Sequence, residues 1–309
     1  MREVAVVTTG FFDGVQLGHR HVIETVVSSA RERGEEAIVV TFWPHPRTVL
    51  QQDARDFRIL NTLEEKKAML LGLGIHRVEV LPFTHDFAAL TAEQYLDLLR
   101  DRFAATQIVM GYDNKIGSDK KSASELIGKS SPSAPQEFIF TDGAVKTKFL
   151  LRTSFVTPPA DLPVAISSTR IRKALQDGDV STANAMLGYE YTLTGAVVAG
   201  NRMGRTIGFP TANMQLYEPL KLVPGNGVYA VEAEVLGAKY KGMCNIGVRP
   251  TVNGTGRTIE THILDFDQDI YGLPLTLRFL RRIRDERKFD SLEALRSQLI
   301  YDRNLIREL

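Results

Sequence analysis

Cysteine is almost absent: Cys244 stands alone in 309 residues, which excludes an intramolecular disulfide and every metal cluster built on several thiolates. A reducing compartment suits such a chain. Charge of one sign is equally scarce, with 38 Lys and Arg against 37 Asp and Glu and a net charge of +1. Proteins with a dedicated nucleic-acid surface usually carry a basic excess or stripe, so that class is not expected. Small anionic ligands need only local charge. No apolar run reaches membrane-spanning length, and Met1-Arg-Glu leads straight into a strand pattern rather than a signal peptide, so the expected location is cytoplasmic. No internal repeat or low-complexity tract is evident.

What is present fits a folded protein of two domains, since 309 residues with 43% hydrophobic and 24% charged side chains can bury two cores. In the first half, Val4–Thr9 and Ala37–Phe42 are continuous apolar runs separated by a helical pattern from Gly18 to about Arg33. The alternation continues through Leu63–Leu73, Arg77–Leu81, Ala92–Phe103 and Gln107–Met110. Buried runs of that length alternating with helices predict an α/β domain, Rossmann-like and doubly wound, with ligands at the carboxyl ends of the strands. Polar signals collect at those ends. Gly10-Phe11-Phe-Asp13-Gly-Val-Gln16-Leu-Gly-His19 enters the first helix, Trp43-Pro-His45 follows the second strand, and Gly111-Tyr-Asp113 follows a later one. A helix N-terminus offers unsatisfied N–H groups to phosphate. A lone histidine on such a loop is as readily structural, but three polar loops at one sheet edge predict a binding cleft.

Ser118–Gln136 is rich in Ser, Lys and Pro and reads as a loop with one short helix near 124–127; Thr157–Pro163 reads as a stiff extended segment. Next, Ala165-Ile-Ser-Ser168-Thr169-Arg-Ile-Arg172 offers hydroxyls to cap a helix that carries Arg170 and Arg172. Two short helices, Thr169–Gln176 and Val180–Leu187, precede a change of pattern near Gly188, which sets expected domains of 1–187 and 188–309. Beyond it, short strands at Thr192–Ala199, Val228–Leu236, Tyr240–Ile246, Thr258–Leu264 and Leu275–Ile283 predict a small closed barrel or sandwich. Apolar residues at 292, 295, 299, 305 and 306 predict a C-terminal helix packed across it, with Ser291 as N-cap.

The loop Gly204-Arg205-Thr-Ile-Gly208-Phe-Pro210-Thr211-Ala-Asn213 combines glycines that let backbone N–H groups approach an anion, a proline that fixes direction, and two short oxygen-bearing side chains. Mg²⁺ takes a few protein oxygens and fills its shell with phosphate and water, so Thr211 and Asn213 are candidate metal ligands. By composition alone the stretch is also an ordinary strand-entry turn.

Gly208-Phe-Pro-Thr-Ala-Asn213, then Val228-Tyr-Ala, then Ile259-Glu260-Thr-His262-Ile-Leu-Asp265 and Tyr271-Gly272, stand in the order found in riboflavin kinases. Together with the first half, the chain from about Val4 to its end resembles the bacterial bifunctional riboflavin kinase/FMN adenylyltransferases, or FAD synthetases. The resemblance implies a Rossmann-like nucleotidylyltransferase domain, then a small antiparallel β-barrel kinase domain with a C-terminal helix. It implies ATP and flavins (riboflavin, FMN, FAD) as substrates or products, Mg²⁺ as cofactor, and neither nucleic acid nor membrane as partner. It assigns Glu260 as general base, Thr211 and Asn213 to the metal, and Gly204, Arg205, Gly208 and Pro210 to the nucleotide. In the first half it assigns His19 to catalysis and Gly10, Phe11, Asp13, Gln16, His45, Asp113, Ser168, Thr169 and Arg172 to nucleotide binding.

Three features depart from the family. Gln16 stands where the first of two histidines is usual, and a Gln donates a hydrogen bond but never carries charge. Asn114 and Ile116 stand where aromatic residues are common, and Met203 where a basic one is. Three expectations follow: both riboflavin phosphorylation and FMN adenylylation operate; or the barrel is a kinase and the first domain a weakened or inactive binding module; or the chain is an unrelated small-molecule adenylyltransferase, in which Glu260 has no role.

Overall fold

In the computed structural model of the chain, residues 4–50, 56–111, 114–122, 138–142, 145–149, 152–156, 166–200, 203–251 and 254–309 are described. They form two compact units, Met1–Phe57 with Asn61–Ile166, and Arg58–Leu60 with Ser167–Leu309.

In the first unit, β1 (Ala5–Thr9), α1 (Leu17–Arg33), β2 (Glu36–Trp43), α2 (Leu63–Gly72), β3 (Arg77–Pro82), α3 (Ala92–Phe103), β4 (Ala105–Gly111) and β5 (Arg152–Val156) alternate. The strands make one parallel sheet in the order β3-β2-β1-β4-β5. Successive side chains of a strand point to opposite faces, and here both faces are apolar. Val6, Val39 and Val109 pack with Val22, Ile23 and Leu70 of α1 and α2. Val7, Val40 and Ile108 pack with Tyr95, Leu96 and Leu99 of α3 on the other side. This is why the strands read as unbroken hydrophobic runs. The order reverses between β1 and β4, the switch point at which open α/β sheets bind ligands. Thr62 with Glu65 and Thr91 with Gln94 form capping boxes that fix where α2 and α3 begin. Two short helices, Pro46–Leu50 and His85–Ala88, and two short hairpins, Lys115–Ile116 with Lys121–Ser122 and Phe138–Asp142 with Val145–Phe149, complete the described part. The helix expected near 124–127 and the segment Thr157–Pro163 lie outside the described residues.

The second unit opens with α4 (Ser168–Gln176), capped by Ser167, and α5 (Val180–Leu187), capped by Asp179. β6 (Thr192–Val198), β7 (Ala212–Leu216), β8 (Gly227–Val235), β9 (Ala238–Thr251), β10 (Gly254–Ile263) and β11 (Pro274–Arg284) close into an antiparallel barrel in the order β6-β7-β10-β9-β8-β11. Of the two shapes the strand spacing allowed, barrel or sandwich, the chain adopts the barrel. Tyr229, Cys244, Thr261, Leu277 and Phe279 are fully buried on one face of the strands. Val228, Ala230 and Met243, on the opposite face, pack with Phe209, Leu264 and Ile306 of the C-terminal helix α6 (Leu292–Arg307). Ser291 caps α6, as its sequence predicts. Leu292, expected on the packed stripe, is instead 58% exposed, and the buried positions of the helix are Asp302 and the expected Ile306.

The packing changes over at Ile166/Ser167, whereas the pattern changes from helix to strand at Gly188. α4 and α5 belong with the barrel because Gly225 N–H donates to Leu175 O at 2.7 Å and Asn184 Nδ2 to Phe279 O at 2.8 Å. A three-residue excursion, Arg58–Leu60, joins the same unit: Ile59 bonds to Leu220 and Leu222 through its backbone, each at 2.9 Å. Arg172 Nε donates to the Arg58 carbonyl at 2.8 Å.

Candidate functional site

The first unit gathers its polar groups at the carboxyl ends of β1 and β2. β1 stops at Gly10, and Phe12, Gly14 and Val15 that follow have φ values of 50°, 91° and 37°. Left-handed backbone at a bulky and a β-branched residue costs on the order of 1–3 kcal/mol each and persists where surrounding contacts impose it, commonly at functional sites. The contacts are present. Lys66 of α2, only 2% exposed, donates from Nζ to Phe11 O at 2.9 Å and to Thr41 Oγ1 at 3.1 Å, and lies 4.0 Å from the centre of the Phe11 ring. Asp13 is buried and accepts from the Asn61 N–H at 3.3 Å. His45 packs edge-on to Phe11 at 3.8 Å and against Phe57 at 4.3 Å.

Gln16 is the N-cap of α1, its Oε1 accepting from Gly18 N–H. Its amide oxygen therefore takes one of the N–H groups expected to face phosphate, and its amide nitrogen retains donor capacity. His19 lies in the next turn, edge-on to Phe12 at 5.3 Å, and its enclosed Nδ1 has no hydrogen-bond partner among the described residues. Burial, with a smaller contribution from the Lys66 ammonium, pushes the imidazole down from 6.5 to about 4. The unfolded chain then takes up a proton near pH 6.5 that the folded one refuses until about pH 4. Stability is expected to fall by about 3 kcal/mol as pH drops through that window. Thermal unfolding between pH 7 and 4 checks this: the slope should flatten in His19→Gln, and parallel curves for the two proteins would refute it. Asp113 lies outside the described residues, while Asn114 Nδ2 donates back to Thr9 O at 3.3 Å. Ser168 and Thr169 begin α4, directly after its cap, and they and Arg172 belong to the second compact unit.

On the barrel, antiparallel pairing sets Glu260 of β10 directly opposite Asn213 of β7 on one side and Asn245 of β9 on the other. Directly opposed residues share a face, so these three side chains form a polar row across adjacent strands. His262 follows on the same face by alternation. A cavity of about 320 Å³ takes in Glu260, Asn245 and His262 and is walled by Leu295 and Leu299 of α6 and by Phe289. A second cavity of about 380 Å³ is bounded by Arg205, Pro210, Thr261, Phe266, Ile270 and Tyr271. Thr211, immediately before β7, lines both.

The approach to Thr211 is fixed locally. Gly208 has φ 82°, a conformation glycine adopts without penalty, and turns the chain so that the Phe209 ring is buried. Phe209 N–H donates to Gly204 O at 2.8 Å, closing the loop behind the short helix Met203–Thr206. Gly200 lies against the Asn213 amide so closely that any Cβ there would collide with it. Asn201 and Arg202 lie outside the described residues. Thr211 and Asn213 are neutral oxygen donors of the kind Mg²⁺ accepts beside phosphate and water, and the Glu260 carboxylate stands across from Asn213. No group of three or more His, Cys, Asp or Glu able to hold a metal occurs among the described residues.

The family model described as Riboflavin kinase matches residues 187–309, and that described as FAD synthetase matches residues 1–141. Bifunctional riboflavin kinase/FMN adenylyltransferase from Bacillus subtilis is 36% identical over 97% of this chain and 90% of its own. The Escherichia coli K12 protein of the same name is 35% identical over 99% and 93%. The chain belongs to the bifunctional riboflavin kinase/FMN adenylyltransferase family. A crystal structure named Macrolide-efflux Protein from Streptococcus pneumoniae has a similar fold, with TM-score 0.88 and 35% identity over 100% of this chain and 95% of that one. No helix among the described residues is long and apolar enough to cross a membrane.

Within this bifunctional family member, two groups at the sites, Asn245 and Lys66, lie outside the motifs described above. Asn245 is a polar residue in the apolar run Met243–Ile246, a signal that was available. Lys66 lies four residues before Leu70 on α2, hence on its buried face, a second available signal. Arg284, in the stretch Arg278–Phe289 that resembles the family's segment near the flavin, lines the smaller cavity; its pairing with Asp302 of α6 at 2.8 Å is revealed only by the packed structure.

Proposed function

We propose that the chain phosphorylates riboflavin to FMN in residues 188–309 and adenylylates FMN to FAD in residues 1–187, with Mg²⁺ and ATP at both steps. The observation that carries the kinase reading is the row Asn213–Glu260–Asn245 beside Thr211, the residue common to two cavities. One cavity suits a flavin and its ribityl chain, with apolar walls and a few polar groups; the other suits the nucleotide. The ribityl terminal hydroxyl is a weak neutral nucleophile, so a carboxylate that takes its proton as the oxygen attacks the γ-phosphorus is useful. Glu260 holds that proton at a carboxylate oxygen. Arg205, at the rim of the larger cavity, offsets phosphate charge. Thr211 and Asn213 would hold Mg²⁺, which would supply neutralisation of phosphate charge.

Adenylyl transfer asks for less chemistry, because the FMN phosphate is already an anionic nucleophile. Alignment and charge stabilisation carry that step. The backbone at Gly10–Gln16 and the side chains of His19 and His45 line the strand ends where the nucleotide is expected. One observation favours the narrower reading, kinase activity with a weakened first domain: Gln16 spends its amide oxygen on capping α1. Incubating the protein with riboflavin, saturating ATP and Mg²⁺ separates the two. FAD as final product fits both activities; FMN alone, with FAD gained in Gln16→His, fits the narrower one. Absence of both FMN and FAD would refute the whole assignment.

A further inference from the structure

Backbone pairing between β7 and β10 covers only Ala212 with Thr261 and Asn213 with Glu260. Continuing the register would set Thr211 opposite His262, but there the ladder ends. The imidazole takes over at that point: His262 Nδ1 lies 2.8 Å from the Pro210 carbonyl oxygen. A carbonyl only accepts, so Nδ1 carries the hydrogen. The bonded oxygen belongs to the peptide plane joining Pro210 to Thr211, and φ of Pro210 is held by its ring. Together these two constraints set the direction in which Thr211 leaves the loop. The ring is itself braced edge-on by Phe209 at 5.0 Å, and the Arg303 guanidinium of α6 stands 5.5 Å from the Phe209 ring. Burial keeps the imidazole below its usual value, with the Pro210 bond and Asp265 opposing and Arg303 and Arg307 adding to the effect.

We infer that His262 is a positioning residue for phosphoryl transfer: its Nδ1–H ties the Thr211 loop to the strand that carries Glu260, keeping the metal and nucleotide groups in register with the base. The inference rests on the riboflavin kinase reading and adds to it a residue whose Nδ1–H acts through the Thr211 loop and not on the reacting atoms.

Three variants test it, each assayed for riboflavin phosphorylation against Mg²⁺ concentration and pH. His262→Phe keeps the ring against Phe209 and removes the donor. His262→Asn places an amide N–H near the position of Nδ1, whereas His262→Gln places it one methylene farther. A misplacement of about 1 Å can cost about 10²-fold, so Phe and Gln are expected to lose about that much in kcat, need more Mg²⁺, and keep the KM for riboflavin. Asn should stay within about tenfold of the parent with an unchanged pH profile. Equal loss in all three with an altered pH limb would overturn the inference, since it would make His262 an acid or base; three near-parental enzymes would overturn it as well. If His262→Phe fails to fold, the Asn and Gln pair alone decides. A parent protein that does not phosphorylate riboflavin would refute the kinase reading itself, whereas an active parent with indifferent variants refutes only the role of His262.

Discussion

Glu260→Gln is expected to lower kcat for riboflavin phosphorylation by about 10²–10⁴, the range in which a positioned general base contributes. The substitution keeps the shape of the side chain and its place between Asn213 and Asn245, so the row survives while the proton acceptor is lost. KM for riboflavin should change little, because the apolar walls of the cavity, Leu295, Leu299 and Phe289, are untouched. Supplying FMN in place of riboflavin bypasses the step, and any FAD formed from FMN and ATP should match the parent. This pairing of assays separates lost chemistry from lost folding. Full retention of riboflavin phosphorylation would remove Glu260 from the base role.

The contrast between the two sites explains what the sequence made legible. Parallel strands buried on both faces must be apolar throughout, so β1, β2 and β4 stand out as runs such as Ile38-Val-Val40, and the alternation with helices implies that they run parallel. Loops that turn sharply need glycine and proline, so Gly208-Phe-Pro210 advertises itself. Pairing across a closed barrel leaves no such mark. Nothing local says that Asn245 faces Glu260, because register is settled by the fit of whole strands. Nor does any local signal reveal Arg58–Leu60, three residues from within the first half that bond to Leu220 and Leu222 of the second unit. Gln16 illustrates a third limit. Its role as a cap depends on Gly18 N–H being within reach of its amide, and residue type alone predicts a phosphate donor just as well.

Asp302→Ala is expected to destabilise the barrel unit by about 3–5 kcal/mol, the cost typical of breaking a buried ion pair by removing one partner. Asp302 is fully buried on α6 and accepts from Arg284 Nε at 2.8 Å and from Gln298 Nε2 at 2.6 Å. Without it the Arg284 guanidinium, whose side chain is 17% exposed, keeps its charge in a poorly hydrated site. Because α6 also supplies Leu295 and Leu299 to the cavity that holds Glu260, loosening the helix should raise KM for riboflavin more than it lowers kcat. The double variant Arg284→Met with Asp302→Leu decides whether the loss is the pair's net worth or the stranded charge. Replacing both members with apolar groups of similar size is often neutral or stabilising, so the double variant should recover most of the thermal midpoint lost in Asp302→Ala. If it recovers riboflavin KM too, the pair serves only to seat the helix; if stability returns and KM stays high, Arg284 also acts on the flavin cavity directly. A single Asp302→Ala protein as stable as the parent would show that α6 is held by its apolar contacts with Phe209 and Leu264 alone.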